Sequence, residues 1–519
     1  MTKLTAWRDG TLFDMPYLTP YAQERQAIYQ FTGYDSRARI SDGASREMLN
    51  LSHDAFPCIT PRQPRKLVQS FTSPTALFHK GDKMIVVDGT DFLVDGVKKG
   101  TVTAGKKQMV AMQTKVLVWP DKMYYDTASD EFLEMDITQT SATATFTNST
   151  LTLDSEVKFK KGDGVQITGC KEEQNNRFVV IEEVEGNKIT VLRDTFQYGE
   201  PGDEQPEDGW EETNITLERK APELEFVCQK DNRLWGVYDN AIACTKLGDP
   251  LNWNVFAQLS TDSWESAVGT DGAWTGIAAY GSHIVAFKEH TMHKVYGQKP
   301  TNFQIQTVNL DGVQTGCEKS IVNLNETLFY LSRSGVMAYQ GGIPDMISEP
   351  LGGGLSDAAA GYIGDRLYLS AKKDGIANIF VYDTSIGVWM REDDTLVKEF
   401  SPYLGELYWL SGNEVWAATG GTEPVEWSVQ LGKFEEIYGE KKIISRLYVL
   451  ADMEPDSDIL VEIQTDGGEW KAVSHHREPG HRRIPIIPVR CMYFSIRLSG
   501  HGKVVIRSIV RKTREGSDL

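Results

Sequence analysis

The chain has 519 residues, 40% of them hydrophobic and 10% aromatic, enough for a real core and more than one structural unit. Its net charge of −19 argues against a surface generally adhesive to nucleic acid, although it does not forbid contact with DNA. No apolar run is long enough for a signal peptide or a membrane span, and the six cysteines have no paired spacing, which points to synthesis in a reducing compartment without a zinc site or disulfide framework.

Residues 1–65 carry little periodic pattern and end in NLSHDAFPCITPRQPRK. They predict an extended N-terminal arm draped over other domains or a partner. Arg62, Arg65 and Lys66 form a small basic cluster there, either a solvated turn or a contact with a neighbouring subunit or nucleic acid.

From residue 66 a pattern repeats. Gly281-Ser282-His283 leads into one short apolar strand, IVAF, and a charged turn leads on to a second, MHKVY. The same phrase follows Gly81, Thr114, Asp231, Asn325, Gly364 and Gly405. Neighbouring copies lie roughly 40 to 50 residues apart, except the first two, at about 32, and one interval of about 118. β-Branched and aromatic runs bounded by Gly, Asp and Asn are hairpin signals. Asp88-Gly89 and Asp95-Gly96 are further turns, because glycine takes positive φ at no cost. Such units cannot bury their apolar faces alone and must stack around an axis. The expected fold is all-β: a β-propeller of about seven blades, with blades in 66–136 and 223–430.

Residues 137–222 break the period. Four or five short strands are expected there, as a small inserted β-domain, a barrel or sandwich, with the acidic loop YGEPGDEQPEDGWEE near its end. Trp235, Trp253, Trp274, Trp389, Trp409 and Trp416 recur at comparable places in the later repeats, where large aromatics fill the space between blades. From 431 to 519 the alternation suits a C-terminal antiparallel β-sandwich. Its last third is basic, with Arg482, Arg483, Arg490, Arg497, Lys503, Arg507, Arg511 and Lys512. That asymmetry in an acidic chain is either a solvated face or a docking surface for an acidic partner.

Convergent chemistry is hard to find. His290 and His293 sit across a turn and do not make a metal pair; there is no Gly-x-Ser-x-Gly elbow and no phosphate-cradling loop. Thr270-Asp271-Gly272-Ala273-Trp274 and Thr465-Asp466-Gly467-Gly468-Glu469-Trp470 approach the sialidase Asp-box without its full spacing. No catalytic, cofactor or metal residue is therefore assigned, and the chain is expected not to be an enzyme.

Three phrases resemble the tail hub, nozzle or DNA-stabilisation proteins of short-tailed bacteriophages: NLSHDAFPCITPRQPR, then WTGIAAYGSHIVAFKEHTMHKVYG with GVQTGCEKSIVNLNETLFYLSRSGVMAY, and RIPIIPVRCMYFSIRLSGHGKVVIRSI. The resemblance implies a structural virion protein, made in the host cytoplasm and placed in the tail. It implies a homo-oligomeric ring, typically a hexamer, below the portal or head–tail adaptor. That ring extends the DNA channel, holds packaged DNA in without sequence-specific binding and carries fibres or spikes. Arg62, Arg65, Arg490, Arg507, Arg511 and Lys512 are the candidate interaction surface. The competing expectation is a carbohydrate-binding or carbohydrate-cleaving propeller, an adhesin or glycosidase, with its site at the axis.

Overall fold

The structure is a computed structural model that describes residues 5–8, 11–14, 23–200, 206–435, 441–478 and 480–515. It is all-β: among the described residues only four short 3-10 turns interrupt strands and loops.

Each repeated hairpin becomes the two middle strands of a four-stranded antiparallel sheet. Sheets 1 to 6 span 74–101, 108–134, 226–267, 274–309, 322–346 and 355–391. Sheet 7 takes three strands from 399–420 and its fourth from Arg65–Ser70. The first hairpin of all seven contains a residue with left-handed backbone, at Gly81, Gln113, Asp231, Gly281, Asn325, Gly364 and Leu404. This is the turn whose twist matches the strands it joins.

Apolar clusters lie between consecutive sheets. Val116, Val118 and Tyr125 of sheet 2 pack on Ile85, Val87 and Phe92 of sheet 1. Trp119 of sheet 2 meets Trp253 edge-on at 6.3 Å, in the loop of sheet 3. Trp235 and Ile242 face Ile277 and Ile284 between sheets 3 and 4. One large cluster runs through sheets 4 to 7, and Leu77 and Val86 meet Leu410 and Val415 to join sheet 7 to sheet 1. The sheets therefore close into a ring. A side chain buried this way contributes about 1.5–3 kcal/mol, and no sheet has another place to hide its two faces. Of the tryptophans expected between repeats, Trp235, Trp253, Trp274, Trp389 and Trp409 are buried and Trp416 is half-buried.

Residues 137–219 form a closed six-stranded barrel, one or two strands more than expected. Phe146 lies at its centre, 5.0 Å from Phe196 and 5.8 Å from Trp210 between ring centroids. A buried polar cluster centred on Asp163 fixes the barrel to the ring. Arg219 donates to Asp163 at 3.0 Å, and Asn252, in the loop of sheet 3, donates to the other carboxylate oxygen at 3.0 Å.

The C-terminal unit has two facing sheets. Lys442–Met453, Gly480–Cys491 and Val504–Glu515 form one, extended by Gln23–Ile28 of the arm. The other is built on Ile459–Thr465 and Tyr493–His501, and Ala44–Leu49 of the arm joins it through Glu426–Leu431. Two expected boundaries move as a result. Arg65–Ser70 closes the last sheet and does not open the first, and Glu426–Leu431 belongs to the sandwich, not to the repeats ending at 430. The arm supplies strands to three sheets, because its unpaired backbone groups need partners that it lacks internally.

Candidate functional site

Two places gather charged side chains from distant parts of the chain. The first is the axis of the ring. The 3-10 turn Glu318–Ser320 sits just before sheet 5, held by the Ser320 hydroxyl, which donates to the Cys317 carbonyl at 2.6 Å and accepts from the Leu331 amide at 2.9 Å. From it Lys319 reaches Glu399 of sheet 7 at 2.6 Å, and the Leu77 amide of sheet 1 donates to the same carboxylate at 2.9 Å. Glu318 lies 3.9 Å from Lys106, which precedes sheet 2. The two ion pairs join sheets that are not neighbours, so they cross the middle of the ring. Glu318 and Lys319 line both of two axial cavities. One, of about 440 Å³, has Pro74, Lys106, Asp357 and Lys398 in its wall. The other, of about 430 Å³, is lined by Met109, Val227, Ile277, Leu328 and Phe400. Glu318 and Lys319 form a partition between the two cavities, each large enough for a small molecule.

The second place is the seam where the arm crosses sheets 6 and 7. Arg65 holds Glu392 at 2.6 Å and Asp393 at 2.7 Å, and its guanidinium lies 5.0 Å above the Trp409 ring. Arg62 faces the same two carboxylates at 3.7 and 3.6 Å. Burial by itself would raise the Asp393 carboxyl; attraction to Arg65 and hydrogen bonds from Thr395 outweigh it and hold the group below its usual range. Nearby, Arg366 pairs with Asp54 of the arm and with Asp383, the latter at 3.5 Å. Gly33, at φ +83°, lets the arm lie against the Trp389 carbonyl, where a Cβ would collide. This seam is a clamp, and its chemistry is structural.

The expected interaction residues separate. Arg62 and Arg65 are half-buried and paired in the clamp, so they present no exposed basic cluster. Arg511 is buried, paired with Asp42 and stacked 4.1 Å from the Phe434 centroid. Lys512 is half-buried. Arg507 is exposed but bound to Asp452 at 2.5 Å. Arg497 meets Glu462 at 2.7 Å and Lys503 meets Glu454 at 2.7 Å. Strand pairing thus sets carboxylates opposite most of the basic run. Arg490 alone of the six stands on an exposed strand edge.

His290 is exposed, whereas His293 is buried between Thr270 at 3.0 Å and Thr307 at 2.9 Å and does not converge with it. Glu318, Lys319 and Glu399 were not singled out by sequence. Each is an ordinary charged residue in its own segment, and only ring closure brings them together.

No family model matches the chain, and no curated protein matches it. Solved structures similar to it include the Phanerochaete chrysosporium exo-β-1,3-galactanase, at 9% identity over 55% of this chain and 94% of that one, with a TM-score of 0.22. The phage phi92 endosialidase is similar at 9% identity over 73% of each chain, TM-score 0.26. The Kluyveromyces lactis protein Hsv2 is similar at 10% identity over 62% of this chain and 98% of that one, TM-score 0.27. Two of these three are enzymes, so the expectation that the chain is not an enzyme is withdrawn. At such low scores the likenesses assign it no activity.

Proposed function

We propose that this chain is a tail hub or nozzle protein of a short-tailed bacteriophage. In this reading the seven sheets are the blades of a propeller. Copies of the chain form a homo-oligomeric ring below the portal or head–tail adaptor. The ring extends the DNA channel, retains packaged DNA and offers a platform for fibres or spikes. The observation that carries this reading is the way the parts are locked together. Asp163 of the barrel accepts from Arg219 beside it and from Asn252 of sheet 3, Arg65 ties sheet 7 to sheet 6 through Glu392 and Asp393, and the arm gives strands to both the ring and the sandwich. Such joints suit a channel wall under internal pressure.

The axis of each propeller is not the conduit. Its cavities of about 440 and 430 Å³, parted by Glu318 and Lys319, admit small molecules and not a duplex. The DNA lumen lies between copies. A net charge of −19 lets a duplex move past such a wall without adhering. Cryo-electron microscopy of virions that carry the chain tests this: a ring of seven-bladed units directly below the portal is expected. Absence of the chain from purified virions, by mass spectrometry, overturns it.

A second reading, a small carbohydrate bound at the axis, is favoured by the carboxylates Glu318 and Glu399 in the wall of one axial cavity. Binding in a glycan array that Glu399→Gln abolishes would support it, and no binding to any glycan would reject it.

A further inference from the structure

One margin of the C-terminal sandwich is open. Lys471–His476 is the edge strand of one of its sheets, and Gly480–Cys491 is the edge strand of the other. Three residues join them, so both edges lie on the same side of the molecule. Two properties set this margin apart.

The first is charge. Residues 471–491 contain Lys471, Arg477, Arg482, Arg483 and Arg490 against Glu478 alone, a local +4 in a chain of net −19. Glu478 is engaged by Arg482 at 2.9 Å. Arg477 and Arg483 are exposed. Elsewhere in the sandwich Arg497, Lys503 and Arg507 face Glu462, Glu454 and Asp452; each strand of this margin has a neighbour on one side only.

The second is an apolar tongue. The ladder between Gly480–Cys491 and Lys442–Met453 shifts register between Ile444 and Arg446, so Ile486–Pro488 bulge out of the sheet. Ile487 is 84% exposed, Val489 40% and the adjoining Met492 49%, with Pro485 and Pro488 exposed beside them. An exposed apolar cluster rimmed by charge marks a contact surface. The prolines remove two backbone donors from the edge, so a partner meets it through side chains and not by adding a strand.

We infer that this margin is the docking surface for a second copy of the chain, with Ile487 seated in the contact and Arg477 and Arg483 facing acidic surface on the next subunit. The inference rests on the ring-forming reading above and supplies its interface. Charge decides the occupant: the basic margin cannot pair with itself, whereas the rest of the same chain carries the excess of acid. A contact between two different patches is head-to-tail, the kind that closes into a ring. The apolar centre favours protein over nucleic acid.

The test uses the full chain, sized by multi-angle light scattering over a range of concentration and salt, beside Ile487→Asp and Arg477→Glu/Arg483→Glu. Both variants change exposed residues, and unchanged circular dichroism and melting temperature establish that they fold. The wild type is expected at a multiple of 58.1 kDa, with a mass that falls as salt rises. Both variants are expected at the mass of one chain, their association weakened at least tenfold. Variants that keep the wild-type mass overturn this interface and leave the ring standing. A wild type that stays a single chain at every concentration overturns both. Retention of duplex DNA that the charge variant abolishes, with no change in mass, assigns the margin to nucleic acid and also overturns the inference.

Discussion

Arg65→Met removes the guanidinium at the centre of the seam and keeps most of the side chain's volume. Arg65 is the first residue of the strand that completes sheet 7, and its side chain is only 10% exposed. It holds Glu392, 5% exposed, and Asp393, 20% exposed, through contacts of 2.6 and 2.7 Å. In the variant those two carboxylates face one another with only Arg62 nearby, at 3.6 to 3.7 Å. Removing one partner of a buried pair costs about 3–5 kcal/mol, because the charge left behind is neither solvated nor matched. A chain of several units need not unfold in one step, so the effect is best read locally. Hydrogen exchange of the amides in Arg65–Ser70 and Glu414–Gly420 should accelerate at least about 100-fold, since each 1.36 kcal/mol is a factor of ten. Amides of the barrel should be unaffected. The triple variant Arg65→Met/Glu392→Gln/Asp393→Asn should recover most of the loss, because it removes the stranded charges as well. Acceleration of less than tenfold at the seam, or an equal effect in the barrel, would refute the reasoning that this pair locks the ring closed.

Three further outcomes follow from the packing. His53, His283 and His293 are buried, and burial lowers each to about 4 from an ordinary value of 6.5. The unfolded chain therefore binds protons that the folded chain refuses, and stability present above pH 6.5 is lost as pH falls from 6.5 towards 4, by up to about 3 kcal/mol for each histidine; melting temperature against pH should drop across that window, and less steeply in His293→Gln. Gly361→Ala sets a Cβ 2.6 Å from the Phe400 Cβ and 2.8 Å from Leu407, between sheets 6 and 7, and should cost about 1–3 kcal/mol by urea denaturation; a neutral result would mean that those sheets can move apart. Phe146→Ala should cost the barrel about 3–5 kcal/mol and speed exchange in 137–219, leaving sheets 4 to 7 protected.

Much of the architecture is legible in the sequence because it is local. A hairpin needs two short runs of alternating or apolar residues and a turn that takes left-handed backbone, and Gly81, Asp231, Gly281, Asn325 and Gly364 mark such turns with suitable residues. The count of repeats, the interruption after 136 and the change of pattern near 431 follow from the same signals. Even so, Gln113 and Leu404 occupy left-handed turn positions that their residue types do not announce.

What tertiary structure alone decided is which distant strands and charges meet. Nothing local in RKLVQS says that it will pair with Glu414–Gly420 to complete the seventh sheet; that pairing exists because the last sheet lacks an outer strand and the arm lacks partners. The basic run at the C-terminus reads as one surface, yet antiparallel register sets Glu462 against Arg497 and Asp452 beside Arg507, and leaves excess charge only where the sheets end. Glu318, Lys319 and Glu399 become an axial partition for the same reason. Strand and turn preferences act over a few residues, whereas the environment of a charge is set by whichever segment the closed ring brings within a few ångströms of it.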